Sequence, residues 1–396
     1  MGSTTQMALS GQKVTILGAG VAGLTAALAL SRHGAQVTVL EQANAISEVG
    51  AGLQISPNGV AVLRALGLAE DLAWRSQRAR AVVLRSHRSG SEVLRLDLDQ
   101  YGAGLPFYLV HRHDLISILA DAVRSAGIKV RLLQKAAKVD PGPQPVVHLA
   151  NGAQCTADLV IGADGLHSKA REALNGAYTP FFTGQVAWRA TVPNTLDLGP
   201  EAQVFMGPKR HLVAYPLRDG SRVNLVAVQE RREWAAEGWN HRDDPDNLRR
   251  AFSMFGGAAA GLLQQAGEVS LWGLFRHPVA ETWHQGRVAI LGDAAHPTLP
   301  FMAQGANMAL EDAWVLGESL AAADSIGDGL AAYQAARRDR AARVIGAANG
   351  NAWKYHLRAP LAWPAHQILK LGSRIAPQKL AGQFDWIYRH DVTGPA

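Results

Sequence analysis

The sequence predicts an α/β fold in which a parallel-sheet domain is interrupted by a β-rich insertion and followed by a helical tail. Three observations predict it. A short apolar run, Val14-Thr15-Ile16-Leu17, opens onto Gly18-Ala19-Gly20-Val21-Ala22-Gly23, after which Val21, Leu24 and Leu28 recur at helical spacing. Far down the chain, two more apolar runs end in Gly/Asp turns, Gly162-Ala163-Asp164-Gly165 and Gly292-Asp293-Ala294-Ala295-His296-Pro297. Between those turns lies a stretch with the short alternating runs of a sheet.

The first unit is complete within thirty residues. Gly34 ends the helix, and Val37-Thr38-Val39-Leu40 forms a second strand closed by Glu41. A lone GxGxxG pattern is a weak signal, but here it stands between strand and helix with an acid 18 residues beyond Gly23. In such a unit the first glycine allows the turn, the second lets the backbone approach a pyrophosphate and the third lets helix and sheet pack closely. The amides at the helix N-terminus then face the phosphates.

Further along, Val110-His111-Arg112-His113-Asp114 leads into a helix spaced by Leu115, Ile118 and Leu119. The runs at 158–161 and 287–291 are expected as strands of the same sheet, although the insertion separates them. The expected division is 12–182 and 285–345 for the nucleotide-binding domain, 183–284 for the inserted domain and 346–396 for the tail. In the insertion, the runs at 211–216, 223–228 and 269–272 read as mostly antiparallel strands with one ligand-facing surface. The tail carries Trp363, Phe384, Trp386 and Tyr388 and is expected to be helical.

Composition sets the outer bounds. Of 396 residues 48% are apolar and 18% charged, enough apolar chain for large cores and too little charge for wholesale disorder. Cys155 is the only cysteine, so no intramolecular disulfide or cysteine-rich metal site can form. The net charge of +6 is dispersed, and nucleic-acid binding would require a concentrated basic patch. The densest stretch, Arg337 to Arg343, reads as one helical face with Asp339 inside it. The apolar run Val14–Leu30 contains three glycines and fits neither a signal core nor a membrane span. The expectation is a cytoplasmic protein without membrane attachment, as a monomer or homodimer.

Taken together, these motifs resemble the single-component FAD-dependent aromatic hydroxylases. The nearest branch includes the salicylate hydroxylases, 3-hydroxybenzoate 6-hydroxylases and 6-hydroxynicotinate 3-monooxygenases. Gly18-x-Gly20-x-x-Gly23 with Glu41, Asp164-Gly165 and Gly292 to Pro297 stand in the family's order. Two further segments, 50–58 and 304–313, are similar to that branch. The resemblance implies a Rossmann-type FAD-binding domain with non-covalent FAD, and NADH or NADPH as a visiting co-substrate. It also implies O2 as the oxidant, acting through a C4a-hydroperoxyflavin on a small aromatic substrate. It places Gly18, Gly20, Ala22, Gly23, Gly52 and Glu41 at the FAD, Glu41 on the ribose. Arg112 would meet the phosphate or ribityl region, and Asp293 the ribityl chain. Asp164 would serve both nucleotides, and Gly305, Ala306 and Asn307 would begin a helix facing the flavin. One dinucleotide fingerprint in the chain agrees with a nicotinamide that visits and leaves.

Hydroxylating a phenolic ring requires a group that takes or shares the phenolic proton. His211 and Tyr215 are four residues apart, and on a strand they share a face. That face is expected to line the substrate pocket, although both residues also fit ordinary core positions. In the 6-hydroxynicotinate enzymes a histidine acts as base where this chain has Gln54, which cannot take a proton at neutral pH. Gln54 can still orient a hydroxyl or a water. Arg189 fits either a substrate carboxylate or a framework pair, and His296 a structural or flavin-facing role. Pro297, Pro300 and Phe301 would wall the flavin from water or simply pack the loop. Two alternatives stay open: a tailoring hydroxylase or epoxidase of a larger polyketide-like or isoprenoid substrate, and a flavin-binding regulatory module without turnover.

Overall fold

The computed structural model describes residues 9–46, 52–101, 106–231, 241–356 and 382–394. Gly50, Ala51 and Trp363, from segments singled out above, lie outside them.

The four apolar runs expected as strands are neighbours in one sheet. Lys13–Leu17 sits between Gln36–Leu40 and Leu159–Gly162, with Val288–Ile290 beyond the latter, all parallel. Lys129–Arg131 adds a parallel strand at one edge and His284–Gln285 an antiparallel one at the other. Parallel strands need crossovers, and the helix Val21–Arg32 supplies the first. Strands covered on both faces read as continuous apolar runs, and Ile16, Val39, Leu159, Ile161 and Val288 are accordingly buried. The turns that carry the glycines and aspartates all follow carboxyl ends of these strands, where open α/β sheets bind ligands.

A second sheet has eight strands. In spatial order they are Arg242–Asp243, Val269–Arg276, Phe181–Pro193, Arg222–Glu230, Arg210–Leu217, Glu201–Gly207, Ala81–Ser86 and Glu92–Asp97. All neighbours are antiparallel except Glu201–Gly207 and Ala81–Ser86, which run parallel. The sheet therefore exceeds the expected range 183–284, because two of its strands come from well before it. The alternation expected over 223–228 also differs, since every residue there is buried. Both faces of that strand are covered. Val223, Leu225 and Ala227 pack with Leu248 and Leu262 of the helices Pro245–Ala251 and Gly257–Gln264. Val226 and Val228 pack on the other side with Trp272, Leu299 and Phe301.

Helix Gly305–Ala322 packs along Val21–Arg32 and carries a fully buried acid pair, Glu311 and Asp312. Helix Ile326–Tyr355 supplies the counter-charges, and it runs through the boundary expected at 345. Arg337 Nε lies 2.8 Å from Asp312 Oδ1, and Arg337 Nη2 lies 2.6 Å from Glu311 Oε2. Arg340 donates to both Glu311 oxygens at 2.8 and 2.7 Å, and to the carbonyl of Trp386, which docks the segment Asp385–Tyr388. Arg337 is 1% exposed, so the basic stretch is not one outward face. The other Asp312 oxygen accepts from the Gly292 amide at 3.0 Å and meets His296 Nε2 at 2.5 Å. His296 is thereby structural.

Removing one partner of a buried ion set leaves the others uncompensated, at about 3–5 kcal/mol. Asp312→Asn should lower the unfolding free energy read from denaturant titration by that order, and the midpoint with it. Burial would push the Asp312 carboxyl up, but His296 and Arg337 together outweigh it and hold it at about 2. Its contribution is thus present above the unfolded carboxyl value of about 3.9 and lost as pH falls towards about 2. Across that window the wild-type midpoint should fall more than the variant's, as read by denaturant titrations at stepped pH.

Candidate active site

The glycine turn has three different local reasons. Gly18 has φ +97°, a conformation that side chains disfavour, and a Cβ there would strike the Ala163 carbonyl. At Gly23 a Cβ would collide with the Gly18 carbonyl, so the helix could not sit as close to the strand. Gly20 is ordinary in φ and has no atom within 4 Å of where its Cβ would be. It caps helix Val21–Arg32, whose first turn has no acidic residue and no side-chain cap. Open space before uncapped helix amides fits a pyrophosphate. The Glu41 carboxylate accepts from the Ala19 amide at 2.7 Å and the Ala43 amide at 2.8 Å. Each of its oxygens keeps a second acceptor position, the capacity a ribose diol requires.

The turns after the next two strands are tied together. Asp164 accepts from Ser168 Oγ at 2.5 Å and the Lys169 amide at 2.7 Å, which starts the short helix Lys169–Asn175. Burial raises its carboxyl, and those hydrogen bonds oppose the rise. From that helix, the buried Arg171 donates to the carbonyls of Ala294, Ala295 and Pro278 at 3.1, 3.2 and 2.6 Å. Asp293 projects outward beside Arg112, whose guanidinium is lowered by burial and raised by Asp293. No motif flagged Arg171, because its partners are carbonyls more than a hundred residues away.

A third wall comes from the start of helix Gly305–Ala322. Gly305 and Ala306 line the cavity described below, again with no acid in the first turn. Asn307 lies behind them, fully buried. It donates to the carbonyls of Gln54 and Ala303 at 3.0 and 2.8 Å and accepts from the Ser56 amide at 3.0 Å. Its side chain therefore clamps the helix start to the strand Gly52–Ile55 rather than facing the cavity. Gly52 is packed against the large sheet: a Cβ there would lie 2.5 Å from the Tyr215 ring and 2.9 Å from Asn224 Cγ. Asn224 in turn accepts from the Gly52 amide at 2.8 Å.

One cavity of about 760 Å³ runs from these turns to the face of the large sheet. Gly18, Gly20, Ala22, Arg112, Asp164, Asp293, Gly305 and Ala306 line it from the turns, and Arg189, His211, Val213 and Tyr215 from the sheet, with Gly52 and Gln54 also in the lining and Gly52 against Tyr215. Gly23, Glu41 and Asn307 support the wall without lining it. His211, Val213 and Tyr215 alternate along one strand, so the strand period brings them to one face. Burial pushes the Tyr215 phenol up, with Arg189 pulling it back, so Tyr215 stays protonated and can donate a hydrogen bond. Burial and His356 hold His211 well below the usual imidazole range, and it is neutral. Its Nδ1 lies 2.8 Å from His356 Nε2, a partner 145 positions away that no local pattern announces. Arg189 is half-buried over the Trp272 ring, 4.7 Å from its centroid, and desolvation lowers it to about 10, so it remains a cation at neutral pH.

The family described as FAD binding domain matches residues 12–348. A 3-amino-4-hydroxybenzoate 2-monooxygenase of Streptomyces platensis is 35% identical over 389 residues, covering 95% of each chain. A salicylate hydroxylase of Pseudomonas putida is 32% identical, covering 96% of this chain and 93% of its own. Among solved structures, Klebsiella pneumoniae HpxO complexed with FAD and uric acid superposes with a TM-score of 0.85 at 25% identity, covering 96% of this chain and 99% of its own. A salicylate hydroxylase substrate complex gives 0.81 at 25% identity, covering 97% and 96%. With that family match, relatives of one activity class and turns that fit the cofactor, the chain belongs to the FAD-dependent aromatic-ring monooxygenases.

Proposed function

We propose that this enzyme uses NAD(P)H and O2 to hydroxylate a small aromatic ring that bears a phenolic hydroxyl and a carboxylate. The observation that carries this reading is one cavity that joins the FAD turns to a sheet face holding a half-buried cation, a neutral imidazole and a protonated phenol. When bound, FAD supplies the activation of oxygen once a nicotinamide has reduced it.

The chain's own residues do the rest. Gly18, Gly20, Ala22 and Gly23 shape the cradle for the pyrophosphate, with Glu41 on the ribose and Arg112 and Asp293 along the linker. Asp164 holds the neighbouring turn in place. Gly305 and Ala306 bring the positive end of a helix to the site, which favours the negative charge that reduction creates. Pro300 and Phe301 help to keep water from the reacting end. Arg189 anchors the carboxylate, Tyr215 donates to the ring substituent, His211 takes the phenolic proton, and Gln54 orients the hydroxyl. The substrates named in the relatives, 3-amino-4-hydroxybenzoate and 3-hydroxybenzoate, carry the same two groups. A cavity of this volume has to hold the flavin end of FAD as well, which favours one ring over an extended polyketide-like substrate.

Three outcomes test this. Hydroxybenzoates should stimulate NADH and O2 consumption with matching hydroxylated product; a broad panel of phenols and aromatic acids giving only peroxide would sink the reading. Arg189→Met should raise KM for a hydroxybenzoate by roughly 10–10²-fold, the loss of a charge-assisted hydrogen bond of about 1.5–3 kcal/mol. The KM of an uncharged phenol should move far less. Gly20→Val should fold, as circular dichroism would show, yet purify colourless and resist FAD loading.

A further inference from the structure

The cavity end of the large sheet carries three acid–base groups in series. His211 Nδ1 is 2.8 Å from His356 Nε2, and His356 Nδ1 is 3.0 Å from Glu230 Oε1. The fold brings them together at one end of two paired strands. His211 is the second residue of the strand Arg210–Leu217, opposite Val228 of its neighbour, and Glu230 closes that neighbour. His356 arrives from the end of the long helix Ile326–Tyr355, held by a hydrogen bond from the Lys209 amide to its carbonyl. The side chains of His356 and Glu230 are 3% and 35% exposed, so the series runs from the buried cavity wall to water.

From this we infer that His211, His356 and Glu230 form a proton relay that carries the substrate's phenolic proton from the cavity to solvent, an inference that rests on the phenolic reading proposed above. The polarity of the series follows from its end. A carboxylate only accepts, so His356 donates from Nδ1 to Glu230 and presents Nε2 as an acceptor. His211 must then donate from Nδ1, which makes its Nε2 the basic nitrogen of the ring that lines the cavity. When the phenol O–H bond breaks, its proton forms an N–H bond at His211 Nε2. His211 Nδ1–H passes to His356 Nε2, and His356 Nδ1–H passes to Glu230, which releases it to water. Phenol becomes phenolate, both imidazoles end neutral, and one proton reaches the solvent.

A series is needed because one imidazole would not suffice. Burial disfavours a lasting imidazolium at His211, and the neighbouring His356 adds to that. A shift along the chain moves the charge to the water-facing carboxylate without leaving it in the cavity wall. At His356, burial lowers the imidazole and Arg210 lowers it further, while Glu230 raises it. His211 also packs beside Phe301, with ring centroids 6.0 Å apart, on the loop that walls the cavity.

The test uses the FAD-loaded oxidised enzyme and 3-hydroxy-4-nitrobenzoate, whose phenolate is coloured, at a pH where the free probe is mostly the phenol. In stopped flow the wild type should ionise the bound probe and release a proton to an indicator dye. His356→Gln should bind the probe but ionise it about 10²-fold more slowly, the low end of what a positioned proton acceptor supplies. Glu230→Gln keeps its shape at a part-exposed site and should slow the step in the same direction. Added imidazole should restore the rate in His356→Gly, which a purely structural role would not allow. Wild-type ionisation rates in both Gln variants would overturn the relay while leaving the hydroxylase reading intact. If no aromatic acid stimulated NADH oxidation by the wild type, the hydroxylase reading would fall and the relay with it.

Discussion

A carboxylate sealed from water, that of Asp312, governs the geometry of the cofactor end. It accepts from the Gly292 amide, His296 and Arg337 at once, and so fixes a turn, a loop and a helix relative to each other. Helix Gly305–Ala322, which carries it, also brings Gly305 and Ala306 to the cavity. The acid that holds the helix therefore sits two turns behind the residues that line the cavity. A buried charge set is weak support for stability as such, since well-packed apolar residues can do as well. Here its contribution is positional. Glu311 and Asp312 each pair with Arg337 or Arg340 at defined atoms, and sliding or rotating the helix would part those pairs.

The two ends of the cavity are built on different principles. At the FAD end, the contacts offered come mostly from backbone: amides at Gly20 and Gly305, and glycines where a Cβ would meet another main chain. Such sites depend on turns and tolerate drift in the residues around them. At the sheet end, Arg189, His211 and Tyr215 are side chains whose charge states are set by burial and by neighbours, Arg189 and Tyr215 by each other and His211 by His356. Chemistry directed at a ring needs that kind of adjustability, because different substituents call for different partners in the same place.

This contrast explains what could be read in the sequence. The turns at 18–23, 162–165 and 292–297 were legible because a backbone requirement leaves its mark locally, as a glycine or a capping aspartate at fixed spacing. Strand partners in the parallel sheet followed from the same runs. The sharing of one face by His211 and Tyr215 followed from strand period alone. By contrast, Arg171, Glu311, Asp312, Arg337 and His356 act across more than a hundred residues or between helices, and no periodicity encodes such pairings. Arg337 looked like part of a basic helix face because charge is normally solvated, and here paired acids override that rule. The strands Ala81–Ser86 and Glu92–Asp97 escaped assignment because a short apolar run does not say which of two sheets it joins.

Those two strands alter how the molecule can move. Because Ala81–Ser86 is laced in parallel to Glu201–Gly207, the chain threads from the cofactor half into the large sheet and back again before it enters that sheet a second time at Phe181. Two passes give the large sheet two pairs of connections to the cofactor half, and each added connection restricts how far one half can turn on the other.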